Sequence, residues 1–432
     1  MPKPIVCLSE QLRQYLEAFR PCFRKRQWKY FVTVLLGLIE CEERRTMTGF
    51  LRVVGERISL SGLSRFLGKW SWSPQQVAQT WMDRFREQMG SAIQAEHARL
   101  RAERSKRIGR PRATVVTGYL IFDDSVHTEP KGKKMGGLGA HFSNAEQKVV
   151  SGHCLMTGLY VLLDRRCPLQ PQLYRQRSVC AAEGEPFQSK IDLAVAEIEQ
   201  FEPPPETYTH VLIDSWFHCK RVRKAAQKRG FEVSGGLKSN RVMRLIAADG
   251  SREWISLSTY AARLTREDWQ AVEWPSTEGG QKLYAHLLLT WIRKLGPTLL
   301  LITCHDLDQP LKSIRYWGST LLDLDAQSLV NILAIRWEVE TFFEYEKDLL
   351  GSDHYQLMTA KAILRFWALT ACLLCFLDEQ RAAMSGSNPT CGDARRMIQN
   401  EHRSNLLLWL EARFREGFAV EQVASQLALS NS

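Results

Sequence analysis

Three charged residues first raise the question of chemistry: Arg336, Glu340 and Lys347, in the run that begins Arg336-Trp337-Glu338-Val339-Glu340. They sit at i, i+4 and i+11, so at about 100° per residue a regular helix brings them within roughly 40° on one face. A carboxylate flanked by two cations can hold a metal ion beside a phosphate, the cations taking phosphate oxygens while the acid keeps the metal. Alternating charges also decorate solvated helices, so the stripe needs partners. Two acids supply them, each ending an apolar run. Tyr119-Leu120-Ile121-Phe122 leads into Asp123-Asp124-Ser125, and His210-Val211-Leu212-Ile213 leads into Asp214-Ser215. Such runs read as buried strands. Acids at the C-terminal ends of neighbouring strands converge on the crevice where α/β sheets form their sites. With Glu340 they make a three-carboxylate set whose hard oxygens suit Mg²⁺ or Mn²⁺. Asp123 and Asp124 both remain open for the first position, because adjacent strand residues point to opposite faces.

The elements that must position these groups divide the chain into six regions. Residues 1–92 read as helical, with Arg24, Lys25, Arg26 and Lys29 interleaved among Phe23, Trp28, Tyr30 and Phe31. Ser73-Pro74-Gln75-Gln76 has the pattern of a helix cap with Pro at the first helical position. The stretch Leu60 to Lys69, with Gly62 inside it, reads as a turn entering a recognition helix, or as short helices joined by a Gly turn. Residues 93–114 form a basic connection. Within it Gly109-Arg110-Pro111-Arg112 is either an extended Arg-Pro hook for the minor groove of A·T-rich DNA or a solvated linker that tracks phosphates through Arg110 and Arg112. Residues 115–235 alternate strands and helices. Hairpin strands, a helix over Ser189 to Gln200 stopped by Pro203-Pro204-Pro205, then a further strand is the order of an α/β ribonuclease-H-like core. Residues 236–315 look strand-rich, with Gly279-Gly280 and Gly296-Pro297 as turns, and carry Trp254, Trp269, Trp274 and Trp291. Residues 316–350 hold the third acid on a helix, and 351–432 are helical, covering the sheet or joining two protomers.

Composition agrees with this picture. The 432 residues are 44% hydrophobic, enough for a substantial core and two or three domains. A net charge of +11 suggests a polyanionic partner. Eleven cysteines show no paired framework, and Cys372-Leu373-Leu374-Cys375 sits in an apolar helical run, which points to core packing in a reduced, cytoplasmic protein. The strongly apolar stretch Phe366 to Leu377 lies between Arg365 and Asp378 and is too short to cross a bilayer. No signal-peptide pattern opens the sequence, and no membrane partner is expected.

These residues resemble a DDE transposase of bacterial insertion sequences, in the branch grouped as insertion-sequence family four. That branch carries a Tyr-x2-Arg-x3-Glu-x6-Lys signature, matched in register by Arg336, Glu340 and Lys347, with Leu333 at the Tyr position. Further matches are the Asp-x-Ser of Asp123 to Ser125, the run Gly236-Leu237-Lys238-Ser239-Asn240-Arg241, and Leu350 to Gln356. The resemblance covers roughly residues 30 to 380. It implies a ribonuclease-H-like, retroviral-integrase-like core interrupted by a β-rich insertion, with helical N-terminal and C-terminal regions. It implies that Asp123, rather than Asp124, joins Asp214 and Glu340 in binding two Mg²⁺ or Mn²⁺ ions. Arg336, Lys347, Lys238, Asn240, Arg241, Arg110 and Arg112 are then the expected phosphate contacts. One of the four insertion Trp residues is the expected base-stacking group. The partners implied are double-stranded transposon ends and target DNA, bound by a homodimer at a bacterial nucleoid. The activity implied is cut-and-paste transposition. Two other functions suit the same residues: a ribonuclease-H-like nuclease without strand transfer, and a domesticated DNA-binding protein without activity.

Overall fold

The computed structural model describes residues 7–55, 58–105, 115–246, 250–275 and 280–427. Arg110 and Arg112 lie outside the described residues. The chain begins with five helices: α1 (Glu10–Glu17), α2 (Lys25–Glu40), α3 (Met47–Val53), α4 (Leu60–Gly68) and α5 (Pro74–Ser105). Short polar side chains start four of them, all but α2. Ser9 Oγ accepts from the Leu12 amide at 3.3 Å, Ser59 Oγ from Gly62 at 3.1 Å, and Ser73 Oγ from Gln76 at 3.2 Å. Two expectations change here. Leu60 to Lys69 is not a turn but helix α4 itself. Gly62 is there because a Cβ would lie 2.1 Å from Tyr30 Oη, and the Tyr30 ring is wedged against Phe66 and Trp70. Residues 93–105, read as a connection, are the last turns of α5. The interleaved cations and aromatics of α2 also separate: Arg24, Lys25 and Arg26 are exposed, while Phe23, Tyr30 and Phe31 are buried.

The middle of the chain lays down one mixed sheet. A hairpin of long strands, β1 (Thr117–Thr128) and β3 (Lys148–Leu162), pairs antiparallel, and the outer edge of β3 takes β2 (Gly139–Ser143), β4 (Arg165–Pro168) and β5 (Gln172–Tyr174). Helices α6 (Arg177–Glu183) and α7 (Lys190–Gln200) return the chain to β6 (Tyr208–Ile213), which is parallel to β1. A short basic helix, α8 (Lys220–Lys228), leads to β7 (Glu232–Gly236), parallel to β6.

The strand-rich region then extends the same sheet instead of standing apart from it. It comprises β8 (Val242–Ile246), β9 (Arg252–Ser256), α9 (Leu257–Ala261), β10 (Gln270–Trp274), β11 (Gln281–Ile292), β12 (Gly296–Cys304), α10 (Pro310–Ser313) and β13 (Arg315–Ser319). The last of these pairs antiparallel with β7, so the order runs β2-β3-β1-β6-β7-β13-β12-β11-β8-β9. Along β12 the side chains alternate: Leu300 and Ile302 face one small core with Met243 and Ile292, while Leu299 and Leu301 face another with Val330 and Leu333. A continuous apolar run thus buries both faces.

The second core is closed by α11 (Ala326–Ala334). After one 3₁₀ turn (Ile335–Trp337) come α12 (Glu338–Glu344), a π-helical segment (Tyr345–Leu349), α13 (Ala360–Ala383), α14 (Cys391–Arg415) and α15 (Val420–Gln426). Helix α13 packs against α2, α4, α5 and α14 and against β4. It is longer than the apolar run in the sequence, and by length and composition alone it could cross a membrane. It is a core helix instead, with 83% of its most apolar window buried. Cys372 and Cys375 are buried free thiols within it. The helices α1 to α5 share one hydrophobic core with β1, β3 and β6. If Gly62 serves packing, Gly62→Ala should destabilise the fold by about 1–3 kcal/mol through overpacking. Gly90→Ala, in mid-α5 with nothing within 4 Å, should stabilise it by about 0.5–1 kcal/mol. Denaturant unfolding of the two variants checks the pair.

Candidate active site

The parallel pairing of β1 and β6 positions the first two acids. Its last rung is Phe122 opposite Ile213, so Asp123 and Asp214 follow it side by side. Asp214 lies just past the end of β6 and Asp123 midway along β1, which runs on to Thr128 paired with β3 and so does not end at the acid as its sequence suggested. Asp214 Oδ1 accepts the backbone N–H groups of Trp216 at 2.9 Å and Phe217 at 3.0 Å, which turns the chain sharply and fixes the carboxylate. Asp123 Oδ1 accepts from the amide of Asp124 at 2.8 Å.

A guanidinium links these strands to the third acid. Arg336 Nη1 lies 3.3 Å from Asp123 Oδ2, and Nη2 lies 2.8 Å from Glu340 Oε1. The i, i+4 spacing read from the sequence thus closes an ion pair within the helix, and the same cation reaches across to β1. Asp124 goes the other way. Its Oδ2 takes Lys190 Nζ of α7 at 2.8 Å and the Cys154 thiol at 3.4 Å. Adjacent residues of one strand thereby face α12 and α7 on opposite sides of the sheet.

Burial is the main cause of an unusual ionisation at Asp123. It pushes the carboxyl up from an ordinary 3.8 to about 7, opposed by the Asp124 amide and Arg336 and reinforced by the negative charges of Asp214 and Asp124. Asp214 is raised by burial too, against its two amide donors. Carboxylates gathered this way favour a cation among them. Among the described residues, no group of three acid, His or Cys side chains is already drawn together tightly enough to share one ion. Arg336 bridges two of the three. The oxygen-only donor set nevertheless fits a hard divalent ion.

Lys347 lies within the π-helical segment, where the helical phase departs from the regular 100° per residue. The side chain ends against β1, donating to the Val126 carbonyl at 3.3 Å, and burial lowers its pKa. Beside it Glu346 is fully buried, pushed up to about 8 by desolvation, and shares a 3.3 Å hydrogen bond with Thr370. Leu333, at the signature's Tyr position, is buried in the core under α11.

Several positioning residues left no local trace in the sequence. Arg166 of β4 grips Glu338 at 2.6 and 2.9 Å, on the side of α12 away from Glu340. Asp378 of α13 takes Arg165 at 2.9 Å and Arg381 at 3.0 Å. This network pins α12 with Glu340 turned toward β1. Its members are far apart in sequence, and no short motif announces them.

The other expected contacts scatter. Lys238 and Asn240 are exposed in the loop after β7, whereas Arg241 donates to the His218 carbonyl at 2.7 Å and serves the loop. Trp254 stands exposed on β9, at the far edge of the sheet. Trp269 packs beside His286, and Trp291 lies under Arg244. Trp274 alone of the four lines a cavity shared with Arg336. That cavity, about 300 Å³, also holds Trp317 and Trp337. A second cavity of about 690 Å³ runs from Asp214 past Arg336 to Arg315.

Acids on two parallel strands, tied through Arg336 to a helix acid, make an oxygen donor set of the kind that metal-dependent enzymes use. The sequence comparisons say which. A family model described as DDE superfamily endonuclease matches residues 18–278, more than half of the chain, and a transposase DDE domain matches residues 190–376. The chain belongs to the DDE superfamily of endonucleases, a family that depends on divalent metal. No curated protein sequence matches it. Among solved structures it is similar to the piggyBac transposase in its synaptic complex with hairpin DNA, at 10% identity over 98% of this chain and 82% of that one. The TM-score of 0.44 is too low to add to the family assignment.

A pH dependence follows from Asp123. Its folded pKa lies above the ordinary value, so its contribution to stability is present below about pH 3.8 and is lost between there and about 7. In metal-free buffer, Asp123→Asn should therefore become more stable relative to the parent as pH rises through that window, by about 1 kcal/mol or more above neutrality. Melting curves of the two proteins across the range test it.

Proposed function

We propose that this chain is a cut-and-paste DNA transposase of the insertion-sequence family four-like branch. On this reading it has a ribonuclease-H-like core, continued by the β-rich insertion of β8 to β13. The observation that carries it is the Arg336 bridge, which gathers Asp123 of β1 and Glu340 of α12 beside Asp214 of β6. Asp123, Asp214 and Glu340 would hold two Mg²⁺ or Mn²⁺ ions. When bound, such ions activate the attacking oxygen and neutralise the phosphate in phosphodiester cleavage and joining.

The chain's own residues supply position and charge. Arg336 sits between two carboxylates and would present a planar fork to a phosphate, which Lys cannot reproduce. Lys347, held by the Val126 carbonyl, keeps a second positive charge against β1. Trp274 is the stacking group favoured among the four insertion Trp residues, because it alone shares a cavity with Arg336. Lys238 and Asn240, exposed after β7, suit phosphate contact, and Arg24, Lys25 and Arg26 give α2 a basic outer surface. The expected partners are double-stranded transposon ends and target DNA, bound by a homodimer in the bacterial cytoplasm.

The test is cleavage of duplex DNA carrying the sequences that flank the gene, followed by joining of the freed 3′ ends to a plasmid. Asp123→Asn, Asp214→Asn and Glu340→Gln should each abolish cleavage while leaving binding of the ends nearly intact. Asp124→Asn should retain cleavage. Arg336→Lys should slow single-turnover cleavage at least tenfold with a melting temperature close to the parent's. Normal cleavage by Glu340→Gln would overturn the assignment, and cleavage without joining would favour a plain nuclease.

A further inference from the structure

We propose that the recess where α5 and α13 begin is a binding site for a small, free phosphate-bearing anion, held by Arg365 and Lys361. It lies away from the carboxylates and does not depend on their chemistry. At 1.5 Å per residue, Arg365 is about 20 Å along α13 from Asp378, which belongs to the network behind the active site.

The recess measures about 660 Å³, inside the range of about 300–1,000 Å³ usual for small-ligand sites. Every charged side chain in its wall is a cation: Arg175, Lys361 and Arg365. Arg175 has Glu183 at 3.3 Å, whereas Lys361 is exposed and pairs with no acid among the described residues. Two long helices start here, α5 with 32 residues and α13 with 24. Ser73 and Thr359 cap them, each accepting one backbone N–H at 3.2 Å. Neither helix has an acid in its first turn, where the positive end of the helix dipole favours negative charge.

Arg365 is the residue that calls for a ligand. It is only 2% exposed, and burial alone lowers its pKa to about 10, with no acid opposing the shift. Its Nη1 donates to the Phe66 and Leu67 carbonyls at 3.4 and 3.0 Å, and its Nη2 donates to the Trp72 carbonyl. The guanidinium carbon lies 4.5 Å from the Trp72 ring centroid. These contacts fix the group without neutralising it, and its Nε makes no hydrogen bond. A buried cation with a spare donor is costly unless an anion meets it.

A phosphate group suits this set, because its several oxygens can meet a guanidinium, an ammonium and helix N-termini together. Depth selects a free anion over a DNA backbone. Arg365 and Trp72 form a buried floor, while Ser71, Gln75, Gln76 and Lys361 form an exposed rim. The convex backbone of a duplex meets the rim; a small anion reaches the floor. The Ser and Gln side chains around it can bond the hydroxyl groups of a small phosphate ester.

The full chain, in metal-free buffer with ionic strength held constant by sodium chloride, should show a saturable rise in melting temperature on addition of inorganic phosphate. Lys361→Glu makes a rim cation an anion, and Glu suits a helix first turn, so the variant should melt no lower than the parent without phosphate. Its apparent affinity for phosphate should fall about tenfold or more. Lys224→Glu, the same charge change on the exposed surface of α8, should leave that affinity unchanged. No saturable rise in the parent, or equal responses from the parent and Lys361→Glu, would overturn the site. A loss of duplex DNA binding in Lys361→Glu beyond that in Lys224→Glu would assign the recess to a DNA backbone and overturn the free anion.

Discussion

Negative charge concentrated where two interior strands of the sheet part is the constraint to which the rest of the molecule answers. Two strands run parallel as far as Asp123 and Asp214, partly out of water, where ionised carboxylates are penalised by desolvation and by one another. Arg336 relieves this by reaching both β1 and its own helix. Removing one member of such a group leaves the others without compensation, which is why the surrounding structure must hold the helix in place.

That task falls to residues that touch no substrate. Arg166 fixes Glu338 from behind, and Asp378 of the long core helix ties in Arg165 and Arg381. The π-helical segment after α12 then redirects the chain, so that Glu346 is buried under α13 while Lys347 returns to β1. A regular helix would send these two side chains elsewhere. The segment is a local departure in geometry with a consequence for which charge meets the site.

The strand-rich region is built on the same economy of surface. Because β13 pairs with β7, its strands cap what would otherwise be an open sheet edge, and Arg315 and Trp317 are carried to the cavities beside Arg336. The N-terminal helices likewise share a core with the sheet, so their exposed cations are fixed relative to the carboxylates rather than tethered by a flexible arm.

Much of this was legible in the residues alone, where the signal is local. Apolar runs ending in acids mark β1 and β6, and an i, i+4 spacing marks the Arg336–Glu340 pair, because strand and helix periods are set by the backbone. The cap at Ser73 was legible for the same reason. What required the folded chain depends on which layer lies over which face. Periodicity says that Asp123 and Asp124 point oppositely, but only the placement of α12 and α7 says that Arg336 meets one and Lys190 the other. Gly62 looked like a turn because its real reason, the Tyr30 ring, sits on another helix. The grip of Arg166 on Glu338 spans 172 positions, a separation at which no pattern in one sequence can pair two charges. Local geometry is written residue by residue, whereas the match between distant side chains exists only once the layers have packed.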